Sequence, residues 1–497
     1  GWNSLASLVI LTATAVILAF GVMMETVGLR GLRGGGLLEN PNVTASLLVV
    51  SLPTVFAIEG RRRWRFAAAA VVTLAVVLTG SRAGLLALLA VVAVVLPKGK
   101  TKIVGLLTGG VGVTAVLVWR FANQPDILAW FRPAIWSAVL RLWVSHPLRG
   151  VGPGGLVDAA GVERLLHADH IGQRQFLIAY AESSPLAVLV QTGLVGFLIL
   201  CVALFIWWRR AREDQTLSRA MTAGLAAMAV ISTFHDMLTV DVVLWWWALS
   251  IGLMEVRAAP QPTREDLSTS STSRRAVIGL ALSFVVLWGM VGPAWARWMW
   301  RSGEPHTDVA VRTLRVEPWF DAPLEWRTRE LLKRGQWRWE TVAEAVAVSG
   351  RAVRVHPGAA RLWSIRGMVH ARVVADFGPW PDSVEGAREA FARAIALEPH
   401  QPWSFLEWAR LERNLGHTDA AVDLVRRALD EEPHTVRARL FLARLELDRG
   451  EVEAAREAYE AAVESAGLRR RFDLNTYERE LLNAPTWQFR EIARELD

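Results

Sequence analysis

Arginine is the residue suited to holding phosphate at a membrane edge, because its planar fork donates two parallel hydrogen bonds and never loses its charge. Several arginines of this sequence stand in apolar or glycine-rich surroundings. Arg30 and Arg33 lie in a Gly-rich stretch, and Arg82 sits in Thr79-Gly80-Ser81-Arg82-Ala83-Gly84 between two apolar runs. Arg132 opens Arg132-Pro-Ala-Ile-Trp136, and Arg141 and Arg149 follow in the same segment. An arginine at the bilayer edge is costly unless partnered, so each is a candidate ligand for phosphate or diphosphate. The competing reading is that each snorkels or pairs with Glu25, Glu39 or Asp126. The long segment that follows also carries the ionisable side chains His167, His170 and Glu182. His167-Ala-Asp169-His170 also has zinc-type ligands, but the spacing matches no recognised site, so no metal and no cofactor are expected. His235-Asp236 reads as a proton relay or as a hydrogen-bonded pair at a helix end.

These residues need elements to position them. The chain has 497 residues, 52% hydrophobic and 21% charged, with a formal charge of +7. The composition is split. Up to about residue 290 the sequence is a series of apolar runs, and from about residue 301 it is charged, Ala-rich and periodic. A single soluble globule, a disordered chain and a disulfide scaffold are excluded, the last because Cys201 is the lone cysteine. Runs over 4–27, 43–58, 66–79, 83–96, 103–119, 185–208, 220–234, 240–254 and 276–295 approach the roughly 20 residues a spanning helix requires. Every second connection is cationic: Arg61 to Arg65, then Lys98 to Lys102, then Arg209 to Arg212, then Arg257 and Arg264. With those on the cytoplasmic side, the arginine-bearing segments and everything after Trp295 fall outside. The chain starts at Gly1 without a leader pattern, and further spans are expected upstream.

The tail is repetitive. Pro399 and Pro433 stand 34 residues apart in Leu-Glu-Pro-His and Glu-Glu-Pro-His. Ala409, Ala421 and Ala428 recur as Ala443, Ala455 and Ala462, with Gly416 and Gly450 at the turns and Phe391, Val425 and Tyr459 as knobs. Pro357 ends an earlier unit and Pro318 a degenerate first one. Period, small residues and prolines together resemble tetratricopeptide repeats over 301–467, stacked helix pairs that offer a concave face to a protein partner or brace the membrane domain. The expected fold is therefore all-α. A polytopic helical membrane domain (1–256, external loop 120–184) leads through a polar linker (257–275) and a final span (276–296) to a tetratricopeptide solenoid with a helical cap (468–497).

Three motifs in order carry a second resemblance. Asn40-Pro41-Asn42 opens a run, Thr79-Gly80-Ser81-Arg82 makes a turn, and His146-Pro-Leu-Arg-Gly-Val-Gly-Pro-Gly154 precedes Gly193-Leu-Val-Gly196. The set resembles the O-antigen ligase and polymerase superfamily of bacterial membrane glycosyltransferases over about 4–253. The resemblance implies metal-independent transfer of a glycan from an undecaprenyl-diphosphate carrier to an acceptor hydroxyl, outside the inner membrane of a bacterium. The acceptor would be lipid core, glycan or protein, and nucleic acid is not an expected partner. Arg82 and Arg132 match the family's arginines. The family's histidine, eleven residues before the first glycine of Gly-Leu-x-Gly, is replaced here by Glu182, so the resemblance leaves Glu182, His167 or His170 as the loop residue that would activate the acceptor. Two other readings stand beside this one: a non-catalytic membrane-anchored scaffold for envelope-polysaccharide assembly, which the histidine-to-glutamate departure favours, and a transporter of lipid-linked substrate.

Overall fold

The computed structural model describes residues 19, 22, 41–57, 62–96, 99–123, 127–163, 178, 180–211, 215–235, 295–296, 298–301, 306–317, 320–470 and 476–496. Among them every regular element is a helix. The chain divides into two compact units, Gly1–Leu156 with Ala179–Pro262, and Val157–Ile178 with Thr263–Asp497.

The first unit contains α1 (Pro41–Ala57), α2 (Arg62–Thr79), α3 (Arg82–Val95), α4 (Lys100–Asn123) and α5 (Ile127–Ser145). After the short turn α6 (Leu156–Ala159) come α7 (Ser184–Ala211) and α8 (Gln215–Phe234). Helices α1, α2, α3 and α8 share one core, in which Leu48, Val72, Val76, Ala87, Val91 and Ile231 are buried. Outward positions are apolar as well: Ile103, Leu107 and Val111 on α4, and Leu198, Ile199 and Val202 on α7, are exposed. A helix apolar on all sides suits hydrocarbon surroundings rather than water.

Each expected run over 43–58, 66–79, 83–96, 103–119, 185–208 and 220–234 falls on a helix, with Leu96 just past the end of α3 and residue 58 outside the described residues. Those over 4–27, 240–254 and 276–295 lie outside the described residues, apart from isolated positions. Among the described residues one helix, Ser184–Ile206, is long and apolar enough to cross a membrane, and five shorter apolar helices accompany it.

One difference is substantial. The segment read as a long loop from residue 120 opens with a 19-residue helix, α5. Its buried Ile135, Ala138, Val139 and Leu142 recur at i, i+3, i+4 and i+7, the stripe of an amphipathic helix. Pro133 obscures that stripe in the sequence, because proline inside a helix removes one backbone N–H bond; here it stands seventh of the nineteen residues and the helix continues through it.

The second unit is the repeat array. Its helices are α9 (Thr307–Val316), α10 (Ala322–Leu332), α11 (Trp339–Val355), α12 (Ala360–Phe377), α13 (Pro381–Leu397), α14 (Pro402–Asn414), α15 (Thr418–Glu431), α16 (Val436–Arg449), α17 (Val452–Gly467), α18 (Thr476–Leu481) and α19 (Thr486–Leu496). Pro357, Pro399 and Pro433 each fall two residues past the end of α11, α13 and α15. The repeating alanines at 409, 421, 428, 443, 455 and 462 are fully buried, which lets paired helices approach closely. Phe391 and Val425 are fully buried knobs, and Tyr459 meets Phe489 of α19 edge-on at 6.2 Å. Leu482, Ile492 and Leu496 close the last exposed face by joining Val436 and Leu440. A solenoid needs such a terminal element because its final repeat has no successor to cover it.

This unit also takes in Val157–Ile178. Asp158 packs on Gly358 in the turn after Pro357, and its carboxyl is raised by burial, against the opposing pull of Arg361 and His356.

Candidate active site

The Thr-Gly-Ser-Arg turn between α2 and α3 is explained residue by residue. Thr79 Oγ1 donates to the Val76 carbonyl at 2.6 Å and accepts from the Ser81 amide at 3.2 Å. Gly80 takes a left-handed φ of 61°, which reverses the chain. Ser81 then caps α3, its hydroxyl accepting from the Gly84 amide at 3.3 Å. Gly84 stands where α3 meets Ala45 of α1 so closely that a side chain would displace one of them. Arg82 is thereby fixed as the first residue of α3, half-buried at its N-terminal end.

The two glycine-rich motifs form one structure. Helix α7 is interrupted at Gly193, where φ is 67° and ψ is −173°. The interruption frees backbone groups around Val190–Val195, and the strap at 147–154 takes them up. Val151 N donates to Val190 O at 2.8 Å and Gly152 N to Gln191 O at 2.9 Å, while Leu194 N donates to Pro147 O at 2.8 Å. Gly154 N adds a bond to the Gln191 side chain at 2.6 Å. A side chain at Gly193 would overlap the Leu148 carbonyl, and one at Gly150 would overlap the backbone of Val190 and Gln191. A helix break is tolerable at membrane depth only when protein satisfies the freed groups, and here the strap does so.

Nine residues before α7 breaks, the chain enters it through a strained corner. Glu182 is the one non-glycine described residue with positive φ, at 52°. Its carboxylate Oε2 lies 3.7 Å from Arg132 Nη2 on α5 and 3.8 Å from His235 Nδ1, which directly follows α8. The carboxylate keeps 35% of its exposure, Arg132 19% and His235 11%. The base of this corner is rigid. The Ser184 amide and hydroxyl both donate to the His235 carbonyl, at 3.2 and 2.9 Å. One end of α8 is thus satisfied by the beginning of α7. A left-handed, β-methylene-bearing residue between two cationic-capable side chains is the kind of strain that clusters where chemistry is done.

The structure therefore brings together two predicted residues, Arg132 and Glu182, with a third, His235, that the sequence left as a relay or a helix-end pair. Only its separation of more than fifty residues from Glu182 concealed the meeting. Arg141 is not brought to this carboxylate. It stands nine residues after Arg132 on α5, on the opposite helix face and about 14 Å further along the axis, where it is exposed. Arg149 belongs to the strap. Arg30, Arg33, His167 and His170 lie outside the described residues. Among the described residues no three metal-ligating side chains gather.

Two segments of the chain match known families. Residues 67–201 match the O-antigen ligase family and residues 406–468 match the tetratricopeptide repeat. The protein thus joins an O-antigen-ligase-like segment, containing Arg82, Arg132, the strap, Glu182 and the Gly193 break, to C-terminal tetratricopeptide repeats. His235 lies beyond the first match. Among solved structures, the chain is similar to a thermophilic tetratricopeptide protein of Thermus thermophilus at 23% identity, covering 35% of this chain and 88% of that one, with a TM-score of 0.28. It is similar to MamA of Desulfovibrio magneticus at 13% identity, covering 37% and 98%, with a TM-score of 0.30. No curated protein matches the chain.

Proposed function

We propose that this protein is a polytopic membrane glycosyltransferase of cell-surface polysaccharide biosynthesis. It moves a glycan from undecaprenyl diphosphate to an acceptor hydroxyl at the outer face of a bacterial inner membrane. The observation that carries this reading is the meeting of Arg132 and Glu182 at 3.7 Å, inside the segment that matches the O-antigen ligase family. An inverting displacement needs two things that such a corner supplies. The acceptor oxygen attacks the anomeric carbon as the bond to the diphosphate oxygen breaks, so negative charge grows on the leaving group while a proton leaves the acceptor. Arg132, with Arg82 and the arginines at 30 and 33, neutralises the diphosphate, and fixed charge of this kind often contributes more to catalysis than any other effect. The proton goes to the Glu182 corner or to His167 or His170. No metal is required where guanidinium groups carry the charge. The repeat array supplies a surface for a protein partner on the same outer side.

The test is turnover by the full-length protein in membranes, supplied with an undecaprenyl-diphosphate-linked oligosaccharide and candidate acceptors. Wild type is expected to release undecaprenyl diphosphate. Arg132→Ala and Arg82→Ala are each expected to lower turnover by about a hundredfold or more, and Glu182→Gln by about a hundredfold. Full activity in Glu182→Gln would move the base to His167 or His170. No turnover by wild type would favour the scaffold reading.

A further inference from the structure

We infer that the repeat array is a working part of the transferase, and that Asp158 and Gly161 are positioning residues through which it holds the chain leaving the strap; this rests on the transferase reading above. Residues 157–162 lie inside the segment that matches the O-antigen ligase family, yet they fold with the repeats. Two contacts fasten them. At the first, Asp158 of α6 packs on the turn between α11 and α12, so closely that a Cβ on Gly358 would lie 3.2 Å from the Asp158 Cβ. Arg361 near the start of α12 and His356 in the same turn attract the carboxylate. Arg361 is itself fixed, because its Nε donates to Glu325 Oε2 on α10 at 2.9 Å and its Nη2 pairs with Asp321. At the second contact, the tight turn Ala160–Val162 meets the end of α13 and the turn after it. Ala160 and Gly161 are buried, and a Cβ on Gly161 would lie 2.6 Å from Glu398 Cγ and 2.7 Å from the Leu397 carbonyl oxygen. Only a residue without a side chain fits so near that backbone.

The two contacts are equivalent. Gly358 follows His356-Pro357 and Glu398 precedes Pro399-His400, so each belongs to the proline turn that closes a helix pair, in two successive repeats. One short segment therefore bridges two repeats, whose spacing is set by the packing of their own helices. That makes the array a firm mount. Four residues before Asp158, Gly154 N donates to the Gln191 side chain, a bond of the strap that supports the Gly193 break. Chain fastened at 154 and again at 158 keeps little freedom between, and a segment ordered before substrate arrives spares each turnover the entropy of ordering it.

The experiment uses the full-length protein in membranes, in a Cys201→Ser background because Cys201 is the lone cysteine. Asp158→Cys with Gly358→Cys sets two Cβ atoms close to the separation of about 3.8 Å that a disulfide spans. Mild oxidation is expected to join most molecules, read as a linked peptide pair by mass spectrometry. Adding Gly161→Leu is expected to lower that yield about fivefold or more by prising the segment off. Neither reading needs turnover. With an undecaprenyl-diphosphate-linked oligosaccharide supplied, Gly161→Leu alone is expected to turn over about tenfold more slowly than wild type. The reduced cysteine pair, which lacks the carboxylate, is expected to slow by about as much, and its oxidised form to return to within a factor of about three of wild type. Dithiothreitol should reverse the gain, a response that a merely structural contact would not give, since one folded molecule is compared with itself. Wild-type turnover in Gly161→Leu, or equal rates in the oxidised and reduced pair, overturns the positioning role and leaves the transferase reading standing. Slower turnover on oxidation makes the contact inhibitory and overturns the role as well. Failure of the pair to cross-link overturns the docking itself. No turnover by wild type overturns the transferase reading, and this inference with it.

Discussion

Glu182 holds a conformation that a glycine would adopt without cost. A side chain in the left-handed region costs about 1 kcal/mol, and the fold accepts that cost at a carboxylate set between Arg132 and His235. Comparing two substitutions isolates the backbone part, because Glu182→Gln and Glu182→Gly both remove the charge. Glu182→Gly is expected to be the more stable of the two by about 1 kcal/mol while both lose turnover. Equal thermal midpoints in detergent would show that the corner is not strained. Arg132 and Glu182 stand out in the sequence through their positions in the motifs of the resembled family. Their partner does not, because nothing local links His235 to Glu182. That contact exists only because the Ser184 hydroxyl and amide close the end of α8, a pairing between residues 51 apart in the chain.

At the scale of the element, the strap and the interrupted helix α7 depend on each other. Without residues 147–154 the backbone around Gly193 would face apolar surroundings unsatisfied, and without the break the strap would have no groups to bind. Gly193→Ala is expected to destabilise the first unit by roughly 3 kcal/mol, because the new methyl must enter the space of the Leu148 carbonyl and the residue must keep φ near 67°. Expression level and thermal midpoint would check this, with Gly224→Ala on α8 as the control, since nothing stands within 4 Å of a side chain there. Glycine spacing in the sequence marked both segments as special without revealing that each completes the other. Helix α5 escaped notice for the converse reason. Its core stripe Ile135, Ala138, Val139 and Leu142 obeys the helical period, but the proline and tryptophans around it resemble loop chemistry. The repeats were plain because every unit repeats the same evidence: a proline past the second helix, alanines at the close approach and a glycine at the turn.

For the whole molecule, the repeat array sets how the protein tolerates acid. His370 on α12 is pressed against Gly386 of α13, and burial, with Arg366 adding to it, lowers its pKa to about 4. The unfolded chain binds that proton near pH 6.5, so below 6.5 unfolding gains a proton that the fold refuses. Stability therefore falls as pH drops from about 6.5 to about 4 and is no longer affected by this ring below that. Glu412 on α14 works in the next window down. Burial raises its carboxyl, but hydrogen bonds from Arg388, His417 and Trp408 outweigh burial and bring it to about 2. Arg388 grips both oxygens at 2.7 Å, and His417 and Trp408 approach at 2.8 and 2.9 Å. The stability from this carboxylate is complete above its unfolded value of 4.5 and is lost as pH falls through about 2. The two windows adjoin, so the array is expected to weaken steadily from neutral to strongly acid conditions. His370→Leu should flatten the upper part of that decline and leave the lower part intact. Arg388→Ala should cost roughly 2–3 kcal/mol at pH 7 by leaving a buried carboxylate short of its main partner, and should move the lower window upward toward about pH 4. Hydrogen exchange of peptides from α12–α13 and from α14–α15 in the full-length protein, corrected for intrinsic rates across about pH 3 to 7, reads the two windows separately. Parallel decline in both peptides in His370→Leu would mean that the repeats open as one block, with Glu412 rather than His370 governing their response to acid.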